Sequence, residues 1–428
     1  MMIVTLVALL VATLVVGVPI AFAIGIVAVA GLGLSGLGSA YVVTQRLFVG
    51  MNSYPLLALA MFILAGNILV EGKVIHHLVR FVDLLVGRVR GGLAQANVLA
   101  NMMMAGVSGS ATADAAALGS IMLPMMREKG YKPEFSAALT ISAAVMGPII
   151  PPSLVMVIYA IPSKLSVGAL FLAGIIPGLL IGLSLMVLAY AMCRNQPGLI
   201  ELEPVPLSET GGIILRALPV LVGPVIVVGG ILAGVFTATE SAAVLVVYAL
   251  LLTMGFYRTL DLRALYTVLI ETARTTGIVM LLVATSSIFA WFLAIENVPT
   301  LTAELFASLS ANRYVFLAIV NLFLLVVGCF VDTVPAILIF VPILGPVATS
   351  FGVDPIHFAL IVVVNLMIGI NTPPVGSSLF VIAAIARLPM SRLSVALLPF
   401  YAVQILVLLA ITYLPETVLW LPRLAGLH

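Results

Sequence analysis

Apolar residues in this chain come in long runs, not in the alternation of a strand or the narrow stripe of a surface helix. Runs at 2–16, 18–34, 53–72, 134–160, 167–192, 213–235, 240–256, 275–294, 356–382 and 394–414 predict spanning helices, which need about 20 mainly apolar residues. The first two are short and meet at Gly17-Val18-Pro19, so they read as a helical hairpin or as one broken helix. Two further apolar regions, 97–126 and 314–350, are interrupted near their middles. The interruption is a Gly/Ser/Thr/Asp cluster in one and Asp-Thr-Val-Pro in the other. That pattern predicts re-entrant helical hairpins, which enter and leave on the same side. Segments 73–90 and 296–312 mix charges with apolar residues and predict helices lying in the membrane plane. A polar, Pro- and Gly-rich linker, 195–212, divides the chain into a first unit, 1–194, and a second, 213–428.

Composition fixes the solvent of these helices. Of 428 residues, 63% are hydrophobic and 8% charged, against about 25% charged in a soluble domain. Such a chain cannot cover a water-facing surface, so lipid is its main partner. A net charge of +2 is too small to suggest nucleic acid or any strongly charged partner. Two cysteines, Cys193 and Cys329, exclude a disulfide framework and read as buried small apolar residues. The N-terminus lacks the basic start and cleavage site of a signal peptide and reads as an uncleaved first span. If 97–126 is a hairpin, most of the 18 Lys and Arg fall on one face, which is then cytoplasmic, with both termini periplasmic. Glu71 and Lys73 read as an interfacial pair.

The two units carry one pattern. Asp114 is followed by Pro124, Gly130 to Pro133, and Gly147 to Ser153; Asp332 is followed by Pro342, Gly352 to Pro355, and Gly369 to Val375. Matching Asp114 to Asp332 requires a four-residue gap between Pro342 and Gly352. An odd number of spans separates the copies, so they face opposite ways. Inverted repeats with discontinuous helices bind substrate and ions at the repeat interface in secondary transporters.

The breaks carry the candidate chemistry. Pro148, Pro151 and Pro152 cannot sit in an uninterrupted helix. Carbonyls freed there must be satisfied or line a cavity. With the hydroxyls of Ser108, Ser110, Thr112 and Ser153 they suit a small cation such as Na⁺. Asp332, Thr333, Gly369, Asn371, Thr372 and Gly376 repeat the arrangement. Helix N-termini at the breaks favour an anion. A charge at the bilayer centre costs about 2.5–3.5 kcal/mol. Asp114 and Asp332 therefore cap their hairpin tips, bind ion or substrate, or do both. The small residues at the tips serve either close packing or binding. His76, His77 and His357 have no carboxylate or cysteine at ligand spacing, so no transition-metal site is expected. No nucleotide-binding loop or Ser–His–Asp set occurs, which leaves an ion gradient as the energy source. An intramembrane enzyme would need Asp114 and Asp332 as a facing acid/base pair.

The segments SGSATADAAALGSIMLPMMREKGY (108–131), GPIIPPSLVMVIYA (147–160), VDTVPAILIFVPIL (331–344) and NLMIGINTPPVGSSLFV (365–381) resemble the large membrane subunit, DctM type, of tripartite ATP-independent periplasmic (TRAP) transporters. The likeness extends over the whole chain, including GVPIAFAIG (17–25). It implies an all-α inverted-repeat fold of the ion-transporter superfamily in the bacterial inner membrane, working as an elevator. It implies import of an organic acid, such as a C4-dicarboxylate or sialic acid, coupled to Na⁺ and with no other cofactor. It implies two partners, a small four-helix membrane subunit and a periplasmic substrate-binding protein, and the chain reads as the unfused form. Carried over residue by residue, the Na⁺ and substrate sites comprise Ser108, Gly109, Ser110, Thr112 and Asp114 at one tip and Val331, Asp332 and Thr333 at the other. Gly147, Pro151 and Ser153 join them from the first break, and Gly369, Asn371, Thr372, Pro373 and Gly376 from the second. The alternative within transport is a binding-protein-independent divalent-anion/Na⁺ symporter or ion antiporter of the same superfamily.

Overall fold

A computed structural model describes residues 2–36, 40–86, 91–194, 207–309 and 311–427, and every regular element among them is helical. The first unit runs α1 (Met2–Val15), α2 (Ile20–Leu34), α3 (Ala40–Met51), α4 (Tyr54–Glu71), α5 (Ile75–Val86), α6 (Gly92–Ser108), α7 (Ala111–Glu128), α8 (Pro133–Ala144), α9 (Leu154–Ser163) and α10 (Val167–Cys193). The second runs α11 (Leu207–Leu232), α12 (Ala238–Leu250, continued by the π-helical Leu251–Phe256), α13 (Leu262–Ile295), α14 (Val298–Leu309), α15 (Arg313–Gly328), α16 (Thr333–Ser350), α17 (Pro355–Gly369), α18 (Ser377–Ala386), α19 (Met390–Tyr413) and α20 (Glu416–Leu424). Among the described residues, seven helices are long and apolar enough to cross a membrane.

Helix boundaries follow local chemistry. Thr237 and Glu240 form a reciprocal capping box at the start of α12. The Asp261 carboxylate accepts from the Ala264 amide at 2.7 Å and starts α13. In α5 the buried residues are Ile75, Leu78, Val79 and Val82, the one-faced spacing expected of an interfacial helix.

Several expectations need correction. Of the two readings kept open for the first pair, α1 and α2 take the hairpin, turned at Gly17 with φ +87. Helices α3 and α20 are additional to the expected spans: Gln45 and Arg46 interrupt the apolar pattern of α3, and Glu416 and Arg423 that of α20. Helix α13 starts well before the expected 275, since Arg263, Glu271 and Arg274 interrupt its apolar pattern. At about 1.5 Å per residue its 34 residues exceed the bilayer core, so those charges ride beyond the apolar run. Residues 207–212 of the expected linker belong to α11, and 195–206 lie outside the described residues. So do 87–90 of the interfacial segment. Cys193 is buried but Cys329 is partly exposed. Glu71 and Lys73 form no ion pair; among the described residues the ion pairs are Arg392–Glu134 and Arg423–Glu416.

The repeat is present in a different register. Adding 222 to Ala111, Glu128, Pro133 and Pro151 lands on Thr333, Ser350, Pro355 and Pro373, the same points of α16, α17 and the second break. No gap is needed. Asp332 therefore corresponds to Ser110, not to Asp114, and Pro124 to Pro346. The capping position sets the equivalence: Ser110 and Asp332 each begin the second limb of a hairpin. The copies then exchange partners. Helix α7 packs on α18 and α16 on α9, while α8 packs on α19 and α17 on α10. Such reciprocity is what a two-fold relation between copies requires. Helices α2, α3, α4, α12 and α13 pack on one another beside this unit.

Candidate functional site

Each hairpin tip is built against the break that follows it. In the first copy α6 ends at Gly109, whose φ of +63 reverses the chain. A Cβ there would stand 3.0 Å from the Pro152 carbonyl and 3.2 Å from the Leu154 amide. Ser110 then caps α7 through the Ala113 amide, at 3.5 Å. The Ser110 and Thr112 hydroxyls lie 3.3 Å apart. In the break the Ser153 hydroxyl donates to the Pro148 carbonyl and accepts from the Met156 amide at 3.2 Å, so it caps α9. Cis bonds join Pro151 to Pro152 and Pro373 to Pro374.

Asp114 is fully buried one turn into α7. The Ser108 hydroxyl donates to its Oδ1. Its Oδ2 is shielded from solvent and has no hydrogen-bond partner. That oxygen faces the break, because a Cβ on Gly147 would lie 2.4 Å from it. A buried ionised carboxylate with an unmatched oxygen is costly unless a cation or donor meets it. Asp114 is therefore not the helix cap; Ser110 fills that role.

The second tip uses its carboxylate differently. Asp332 is exposed and caps α16, its Oδ1 accepting from the Thr333 amide at 2.6 Å. The Thr333 hydroxyl is buried without a partner. Val331 lies beside this cap, half-buried. The Val375 amide donates to the Cys329 carbonyl at 3.2 Å, tying break to tip. Gly328 and Gly369 bring two backbones into contact: a Cβ on either would stand under 3.0 Å from the other. The Thr372 hydroxyl donates to the Ile368 carbonyl at 2.9 Å. Gly376, at φ +38, opens α18 with no side-chain cap, and the Ser377 and Ser378 hydroxyls beside it have no partner. Pro373 is half-buried in the same turn. Asp114 and Asp332 thus have separate partners and form no acid/base pair.

The copies meet through amides. Asn371 donates from Nδ2 to the Ile141 carbonyl of α8 at 3.0 Å, and its Oδ1 is unpartnered. The Tyr401 hydroxyl of α19 donates to the Asn371 carbonyl. Gln404, also on α19, donates to the Ser142 carbonyl at 2.9 Å. Within the first copy the buried Asn97 donates to Thr140 at 2.7 Å, and within the second the buried Asn365 donates to Asn321 at 2.6 Å. Tyr401, Gln404 and Ser142 are not among the residues that the sequence singles out. The available signal was an amide near the middle of the apolar run 394–414.

Residues 7–417 match the family described as "Tripartite ATP-independent periplasmic transporter, DctM component". The C4-dicarboxylate TRAP transporter large permease protein DctM of Pseudomonas aeruginosa is 40% identical, with 89% of each chain covered. The sialic acid TRAP transporter large permease protein SiaM of Vibrio cholerae is 38% identical over 95% of each. The crystal structure of the Alcanivorax borkumensis YdaH transporter superposes with a TM-score of 0.66 at 14% identity, covering 90% of this chain and 88% of that one, so the fold is shared. This multi-pass membrane chain belongs to the tripartite ATP-independent periplasmic transporter family, as a large permease component.

Proposed function

We propose that this permease imports an organic acid across the bacterial inner membrane, coupled to Na⁺, by elevator movement of the unit holding both hairpins. The observation that carries the reading is the unmatched Oδ2 of Asp114 facing Gly147. A Na⁺ ion there would gain carbonyls from the break and the hydroxyls of Ser108, Ser110 and Thr112 as ligands. At the second break the uncapped start of α18, with Ser377 and Ser378, supplies donors for a carboxylate. Relatives named for C4-dicarboxylates and sialic acid support this substrate class. By the same kinship a small membrane subunit and a periplasmic binding protein complete the transporter.

One Na⁺ crossing 100 mV gains about 2.3 kcal/mol, and a tenfold gradient adds about 1.4 kcal/mol. Two Na⁺ ions would supply roughly 7 kcal/mol, of which an anionic substrate gives part back. The test is uptake of radiolabelled succinate and sialic acid into vesicles carrying the complete transporter. Accumulation that needs both a Na⁺ gradient and the binding protein is the expected result. Accumulation of free substrate without the binding protein, or equal uptake in choline, would overturn it.

A further inference from the structure

Two cavities lie where the copies exchange helices. The larger, about 930 Å³, is lined by Pro124, Arg127 and Glu128 at the end of α7 and by Arg387 after α18. The smaller, about 380 Å³, is lined by Leu338 and Pro342 of α16, by Pro162 and Lys164 at the end of α9, and by α3 and α13. Each sits between the second limb of one hairpin and the end of the other copy's broken helix. Each holds a cation at the C-cap of a broken helix, one residue apart in the repeat register. Arg387 is the C-cap of α18 at φ +54, and Lys164 is the C-cap of α9 at φ +58.

That coincidence needs a cause. Left-handed backbone is uncommon outside Gly, Asn and Asp, and Gly is the usual residue where a helix ends this way. Lys73 and Arg258 also take positive φ, so what sets Lys164 and Arg387 apart is that each ends a broken helix and lines a cavity between the copies. Attraction to the helix C-terminus explains a positive charge but not its place in a cavity wall. In the smaller cavity Lys164 is the charged residue among the described lining. In the larger, Arg127 and Arg387 outnumber Glu128. A cleft lined by one sign of charge with low-dielectric walls concentrates the opposite ion.

We propose that Lys164 and Arg387, the latter with Arg127, form matched carboxylate-capture sites at the two mouths of the transport path. Lys164 holds the anion at the periplasmic mouth and Arg387 at the cytoplasmic mouth. The proposal rests on the import of an organic acid inferred above.

The test uses Lys164→Asn and Arg387→Asn, which remove charge while keeping a residue that tolerates left-handed backbone. Lys164→Arg and Arg387→Lys keep the charge. Succinate and sialic acid transport by the complete transporter is measured in right-side-out and inverted vesicles, at fixed Na⁺, with ionic strength raised by choline chloride. Lys164→Asn raises the half-saturating concentration roughly three- to tenfold at the periplasmic face, and Arg387→Asn does so at the cytoplasmic face. Both differences shrink at about 0.5 M salt, where screening is nearly complete, and both charge-keeping variants behave as wild type. Asn variants that match wild type at low salt, or a loss independent of salt, overturn the proposal while leaving import standing. A wild type that moves neither anion sinks the import reading and this proposal with it.

Discussion

Single atoms decide most at the two tips. Gly147 leaves room for Asp114 Oδ2, and an added Cβ would come within 2.4 Å of it. Gly147→Ala is expected to abolish uptake while the protein still inserts and purifies. Wild-type uptake in that variant would remove the break from the site. Ser110 and Asp332 share the capping position, so Ser110→Ala and Asp332→Ala should each cost about 1 kcal/mol in thermal unfolding. Their effects on transport should nonetheless be milder than that of Asp114→Asn. The sequence displayed both aspartates but not their difference in role. Residue identity suggested pairing Asp114 with Asp332; the helix starts pair Ser110 with Asp332 instead. A sequence shows which residues recur, while the cap position depends on where the chain first satisfies its free amides.

At the scale of elements, what was legible was what lipid forbids. Prolines and polar clusters inside apolar runs marked both hairpins and both broken helices, because unsatisfied backbone cannot face hydrocarbon. Helices α3 and α20 and the start of α13 were hidden, since mixed polarity carries no such prohibition. Where backbones touch, small residues are obligatory. Gly369→Ala would push a Cβ to 2.5 Å from the Gly328 Cα, and overpacking of this kind costs about 1–3 kcal/mol. A lowered unfolding temperature with reduced uptake is the expected outcome. On the interfacial α5, burial pushes the Asp83 carboxyl from 3.8 up to about 6, and its Oδ1 has no partner. The folded state thus holds this proton more tightly than the unfolded chain. Stability from this group is greatest below about pH 4, declines as pH rises toward 6, and is level above. Asp83→Asn should remove that decline and raise the unfolding temperature at pH 7 relative to wild type. Thermal unfolding from pH 4 to 8 checks both parts.

For the whole molecule, the cross-repeat bonds matter most. Asn371 to Ile141 and Gln404 to Ser142 tie the second break and α19 to the first copy. None of these pairings was readable in advance, because they depend on which faces two copies present after they exchange helices. The same exchange sets the second break against α8, the helix that leads into the first. The central claim is that the first copy takes a cation at Asp114. Its most direct test is the thermal unfolding of purified protein titrated with NaCl against choline chloride, for wild type and Asp114→Asn. A ligand bound only by the folded state stabilises it increasingly with concentration. The account predicts a Na⁺-dependent rise in unfolding temperature for wild type that Asp114→Asn loses, with the variant at least as stable as wild type in choline, where no cation meets the buried carboxylate. Equal stabilisation of both proteins by Na⁺, or none of the wild type, would contradict it.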